Sequence, residues 1–259
     1  MFDTLNKSWL LVAISILAIA GMFFVGPIAQ DNQYHLFADS HQIVGISNFW
    51  NVFSNFSFVL VGLFGLWRYP RLAVADSKAG YLFLCVGVLL VGFGSAYYHA
   101  APSNASLLWD RLPMTVAFMA LFALLLSERV ISSCRNLVLW VLVIFGVLAA
   151  LYWSWTESLG QGDLRPYMLV QFLPIILMPL ILWLFKERYL STSLLFYAFI
   201  LYFLAKACEY FDHEIYEMTQ LVSGHTLKHL VASLAVLCII CAVPAKSANK
   251  SKKQSYEDA

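Results

Sequence analysis

Charge is scarce in this chain. Its 16 Lys and Arg and 15 Asp and Glu residues make up 12% of 259 positions, about half the usual share of a soluble domain, which is roughly 25%. No polar segment is long enough to form a separate soluble domain, and no long internal repeat is visible. Basic residues are not in excess. The formal net charge of +1 leaves no basic surface for a nucleic-acid partner. The five cysteines, Cys85, Cys134, Cys208, Cys238 and Cys241, lie in or beside apolar runs. They read as small buried apolar side chains rather than as a metal or disulfide framework.

What fills the sequence is apolar surface, at 61% hydrophobic residues. A membrane-spanning helix needs roughly 20 mainly apolar residues. Eight such stretches can be read, at about 9–26, 47–67, 79–99, 107–127, 135–154, 167–185, 192–210 and 224–243. The fold class is therefore all-α, a polytopic bundle of transmembrane helices with short loops and the lipid bilayer as its partner. Pro113, Pro174 and Pro179 fall within spans, where neighbouring helices can satisfy the backbone groups that proline frees. Lys7, the first apolar run and the Ala18-Ile19-Ala20 triplet resemble a signal peptide. The run continues through Val25, past any such cleavage point, so residues 1–26 are expected to be a retained helix.

The loops sort by charge. Those after the second, fourth and sixth spans hold Arg68, Arg71, Lys78, Arg129, Arg135, Lys186 and Arg188, and the termini add Lys7, Lys246, Lys250, Lys252 and Lys253. The opposite loops hold only Arg111 and Arg165. Twelve basic residues against two place both termini in the cytoplasm by the positive-inside rule, and an even number of spans agrees. The polar tail, 244–259, is expected to be a disordered basic cytoplasmic segment.

An ionisable residue inside a span costs at least about 2.5–3.5 kcal/mol, so each is a functional candidate. The set is Ser95, His99, Asp110, Lys206, Glu209, His225, Lys228 and His229. His225 and His229 are spaced i, i+4, which puts both imidazoles on one helix face. By itself that pair suits either a metal or two polar groups at a helix start. Ser95 and His99 share the same spacing. The alternation of spans brings His99, Asp110, His225 and His229 to a similar depth at the exoplasmic side. Three histidines converging there fit a catalytic Zn2+, which takes three protein ligands and keeps a fourth position open. Asp110 then suits a base or hydrogen-bond partner for water, or a residue favoured by the helix dipole. Ser95 suits a donor to the substrate carbonyl. A serine-nucleophile triad needs only one of the histidines, whereas all three serve together as ligands. Lys206, Glu209 and Lys228 read as an ion-paired network beside the site. His35, His41 and His213 read as solvated loop histidines.

The residues in this order carry a resemblance. "NFWNVFSN" at 48–55, "GFGSAYYH" at 92–99, "WDRLPM" at 109–114 and "GHTLKH" at 224–229 are similar to successive motifs of the alkaline ceramidases. That family sits within a group of seven-helix membrane hydrolases that includes the adiponectin-receptor-like proteins. The chain looks especially like bacterial ceramidase-like members, which implies the bacterial inner membrane. The resemblance implies a three-histidine zinc site of His99, His225 and His229, Asp110 on the catalytic water, and Ser95 near the substrate carbonyl. It also implies hydrolysis of the amide of a ceramide-like membrane lipid to a sphingoid base and a fatty acid. Residues 27–243 would form the seven-helix core, with residues 1–26 an added span. Two positions depart from the eukaryotic members. Asn48 stands where they carry the Glu of a Glu-Phe-Trp-Asn motif ending a calcium-binding segment, so no calcium site is expected. Lys228 stands where they tend to carry Trp. Other readings remain: a membrane zinc hydrolase of another lipid amide or ester, or a transporter or receptor with Lys206, Glu209 and Lys228 along an ion path.

Overall fold

A computed structural model describes residues 2–131 and 133–246, with only the backbone considered for residues 2–6. Ten α-helices follow one another: α1 (Phe2–Phe24), α2 (Phe49–Ser54), α3 (Phe56–Arg68), α4 (Lys78–Ala100), α5 (Asn104–Arg129), α6 (Arg135–Ser158), α7 (Arg165–Leu184), α8 (Thr192–Tyr210), α9 (Asp212–Thr219) and α10 (Gly224–Ala242). Among the described residues there is no strand. Eight helical segments are long and apolar enough to cross a membrane, so the chain is an all-α integral membrane bundle. Their bounds follow the eight apolar runs closely, because lipid leaves the backbone no partner but itself.

Three details differ from the sequence reading. The second run is divided at Asn55 into α2 and α3. There the Ser54 hydroxyl and the Asn55 amide both donate to the Asn51 carbonyl, at 3.1 and 2.7 Å, and side chains that bond back to a turn tighten or bend it. The acidic stretch after residue 210, expected as loop, forms α9. Of the cysteines only Cys85 is buried; Cys134 is exposed and the other three are half-buried.

α5 is the most buried span and packs on α4, α6 and α7. α10 packs on α8 and α3. α8 makes no extended contact with α5 or α7. α1 leans on α7, held at one end by Arg165, whose Nη1 donates to the carbonyls of Met22 and Val25 at 3.1 and 2.7 Å. Residues 244–246 pair with the α3–α4 connection: Ala73 N–H donates to Pro244 and Lys246 N–H to Arg71. The expected disordered tail beyond them, from 247, lies outside the described residues.

At the end of α5 far from the histidines, Glu128 is fully buried. Its Oε1 accepts the backbone N–H groups of Arg188, Tyr189 and Leu190 at 2.5, 2.9 and 3.3 Å. Its other oxygen takes Arg129 Nε at 2.8 Å. Arg129 in turn reaches the Phe185 carbonyl and Thr192 Oγ1. This pair fixes the α7–α8 turn.

Candidate metal and lipid site

The last two turns of α4 bring Ser95 and His99, the first turns of α5 bring Asp110, and the first turns of α10 bring His225 and His229, all to one end of the bundle. Local chemistry fixes each helix there. Ser103 and Ser106 form a reciprocal capping box at the start of α5. Ser223 caps α10 by accepting the Thr226 N–H at 3.1 Å. Asn51 on α2 accepts from Thr226 Oγ1 at 2.8 Å and Ser223 Oγ at 3.3 Å. Asp212 bridges the His225 N–H, at 2.6 Å, and the Ala38 N–H, at 3.0 Å. Gly94 allows α4 to lie against α5, since a Cβ there would run into the Trp109 carbonyl.

His99, His225 and His229 are buried, and one ring nitrogen from each lies within 4.8 Å of the others. The Nε2 atoms of His99 and His225 are 3.3 Å apart. Tetrahedral zinc with Zn–N distances of about 2.0–2.1 Å has ligand–ligand edges near 3.3–3.4 Å, so this spacing fits two imidazoles around one ion. The His229 Nδ1 is 2.8 Å from Ser54 Oγ, whose own proton goes to the Asn51 carbonyl. Ser54 therefore accepts from Nδ1–H, which leaves the His229 Nε2 as a bare lone pair. Three imidazoles suit a divalent transition metal, zinc among them. Phe37, from the α1–α2 connection, covers the cluster with its ring centroid 4.6 Å from both His99 and His225.

Ser95 and Asp110 are buried. Both line one cavity with His229. Its volume of about 380 Å³ lies in the range of small-molecule sites, roughly 300–1,000 Å³. One end carries Tyr34, Arg111, Lys206, Glu209 and Lys228; the other walls are mainly apolar, Leu84, Val88, Met114, Phe118 and Phe199 among them, with Gln171 and Tyr202 as polar members. α8 makes no extended backbone contact with α5 or α7, so side chains such as Phe118 and Tyr202, with ring centroids 6.4 Å apart, bridge the seam between them beside this cavity.

Lys206 and Lys228 both pair with Glu209, the latter at 3.0 Å. Lys228 Nζ also stands 2.9 Å from the His225 Nε2, so this side chain reaches the histidine cluster itself. His41 and His213 are exposed. His35 is not solvated as expected: its ring nitrogens meet the Tyr98 hydroxyl and Asn104 Oδ1, each at 2.9 Å. Sequence reasoning had not singled out Ser54, Phe37 or Arg111. Ser54 sits inside the quoted "NFWNVFSN" and Arg111 directly follows Asp110, so motif membership marked both. Nothing local marked Phe37.

No curated protein matches the sequence. A family model described as Ceramidase matches residues 41–258, which begins after α1 and takes in every residue of the histidine cluster and the cavity's polar end except Tyr34. With most of its length matched, the chain belongs to the ceramidase family, amide hydrolases of ceramide.

Proposed function

We propose that the protein is a zinc-dependent integral-membrane amidase, cleaving the N-acyl bond of ceramide-like lipids to a sphingoid base and a fatty acid. The observation that carries it is the buried three-imidazole cluster, with its 3.3 Å edge between His99 and His225. The asymmetry of basic residues supports cytoplasmic termini and an active site toward the exoplasmic side.

His99, His225 and His229 would hold the zinc, which supplies Lewis acidity for the amide carbonyl and makes water available as hydroxide near neutral pH. Asp110 accepts the proton from the attacking water and delivers it to the amide nitrogen as the C–N bond breaks, so that the amine leaves and the acyl group becomes a carboxylate. Ser95 lines the same cavity as Asp110, where its hydroxyl is suited to the carbonyl oxygen. Phe37 keeps bulk water off the cluster. The apolar walls receive the lipid chains.

The test is the zinc content of purified protein together with ceramide turnover, for wild type and His225→Ala. The expected result is about one zinc per chain in wild type, lost with His225→Ala, and turnover lost with it. Metal-free wild type whose turnover is untouched by the substitution would sink the reading.

A further inference from the structure

Arg111 is a buried charge, without a carboxylate partner, that the amidase reading does not use. Its side chain lies beneath the surface, 6% exposed, with the guanidinium 4.1 Å from the Trp153 ring centroid and 4.6 Å from that of Tyr167. Nη2 donates to Gln30 Oε1 at 2.6 Å. Nη1 is buried and has no partner. Among the described residues no carboxylate lies within ion-pair distance of it. A guanidinium does not shed its proton, so it cannot escape burial by becoming neutral. Leaving such a charge with one neutral acceptor is costly unless something else completes it.

The surroundings say what that would be. Arg111 lines the cavity at its polar end, beside Asp110 and Ser95. Three cations, Arg111, Lys206 and Lys228, line the cavity against two carboxylates, Asp110 and Glu209. Glu209 is shared between both lysines, so one positive charge is left over among these groups, and neither carboxylate is ion-paired with Arg111. The two aromatic rings hold the guanidinium plane fixed, and a fixed fork of donors suits an oxyanion such as phosphate, sulfonate or carboxylate.

We infer that the lipid amide this cavity takes carries an anionic oxyanion headgroup, bound by the guanidinium of Arg111, rather than the neutral hydroxyl headgroup of plain ceramide. The inference rests on the amidase reading for the cleaved bond, but not for the anion site. A fatty acid carboxylate shares the chemistry, and the experiment separates that product from a substrate headgroup.

Two measurements are needed. In the first, kcat/KM is compared for matched N-acyl lipids with hydroxyl, phosphate and carboxylate headgroups. Wild type should favour the anionic pair at least about tenfold, the scale of one charge-assisted contact, and Arg111→Gln should bring that ratio close to one. In the second, which needs no turnover, thermal unfolding of detergent-purified protein is followed with dodecyl phosphate, dodecanoate or dodecanol. Dodecyl phosphate should raise Tm in wild type where dodecanol does not, and Arg111→Gln should abolish the shift. A protein without amidase activity that still shows this shift loses the amidase reading and keeps the anion site. Wild type preferring the hydroxyl headgroup, or showing equal shifts for dodecyl phosphate and dodecanol, overturns the inference even if Arg111→Gln fails to fold. Stabilisation by dodecanoate alone, without any headgroup preference, assigns Arg111 to the product and overturns it as well.

Discussion

Ser54 Oγ stands between the His229 Nδ1, 2.8 Å away, and the Asn51 carbonyl, 3.1 Å away. A histidine that binds metal through one nitrogen is oriented by what the other nitrogen meets. Ser54→Ala removes that partner and frees the ring to turn. Zinc affinity, measured by competition with a chelator, should fall by about 10–100-fold, and Ser54→Thr should recover part of it. A purely structural role would lower Tm without moving the affinity.

Asp110→Asn keeps the shape of the side chain and its place beside Ser95 while removing the basic oxygen. Turnover should fall by about 10²–10⁴-fold. Zinc content should stay at the wild-type level, because Asp110 is not among the three imidazoles. Loss of zinc in this variant would reassign Asp110 as a ligand.

Glu128 lies eighteen residues from Asp110 along α5, about 27 Å at 1.5 Å per residue. Glu128→Ala leaves Arg129 buried without its carboxylate and three N–H groups without their acceptor. Breaking a buried pair in this way costs about 3–5 kcal/mol, to be read as a fall in unfolding midpoint in detergent. Turnover per folded molecule should be unchanged, since the far end of the helix still holds Asp110 and the histidines in place.

The Asp163 carboxylate takes Arg165 Nε and Nη2 at 2.8 and 2.7 Å, and these bonds hold its carboxyl below the usual range. The folded form therefore binds this proton less readily than the unfolded chain. The contribution to stability is present above the unfolded value, about 3.9, and is lost as pH falls through the lower folded value. Unfolding midpoints of wild type should drop on acidification below about pH 4. Asp163→Asn should be less stable at neutral pH and flatter through that window.

The spans and the histidine cluster were legible for related reasons. Lipid enforces apolar runs of one length, and alternating helix direction then puts His99 at an end of α4 on the same side as the starts of α5 and α10. Depth along the membrane normal could therefore be read from sequence, but position around each helix could not, except where i, i+4 spacing tied His225 to His229. Contacts across the bundle were hidden for that reason. Phe37 reaches the cluster from a connection with no period of its own. Asp212, between the last two apolar runs, bonds the first turn of α10. Arg111 looked like a loop charge near a helix start, yet the packing of α5 against Trp153 on α6 and Tyr167 on α7 draws it inside.

The seam beside α8 has a kinetic consequence. A substrate that arrives sideways from the bilayer searches in two dimensions, and the concentration the enzyme meets is the mole fraction of that lipid in the membrane, not its amount per volume of buffer. Diluting the substrate with inert lipid at constant total substrate should slow turnover, whereas diluting the vesicles in buffer should not.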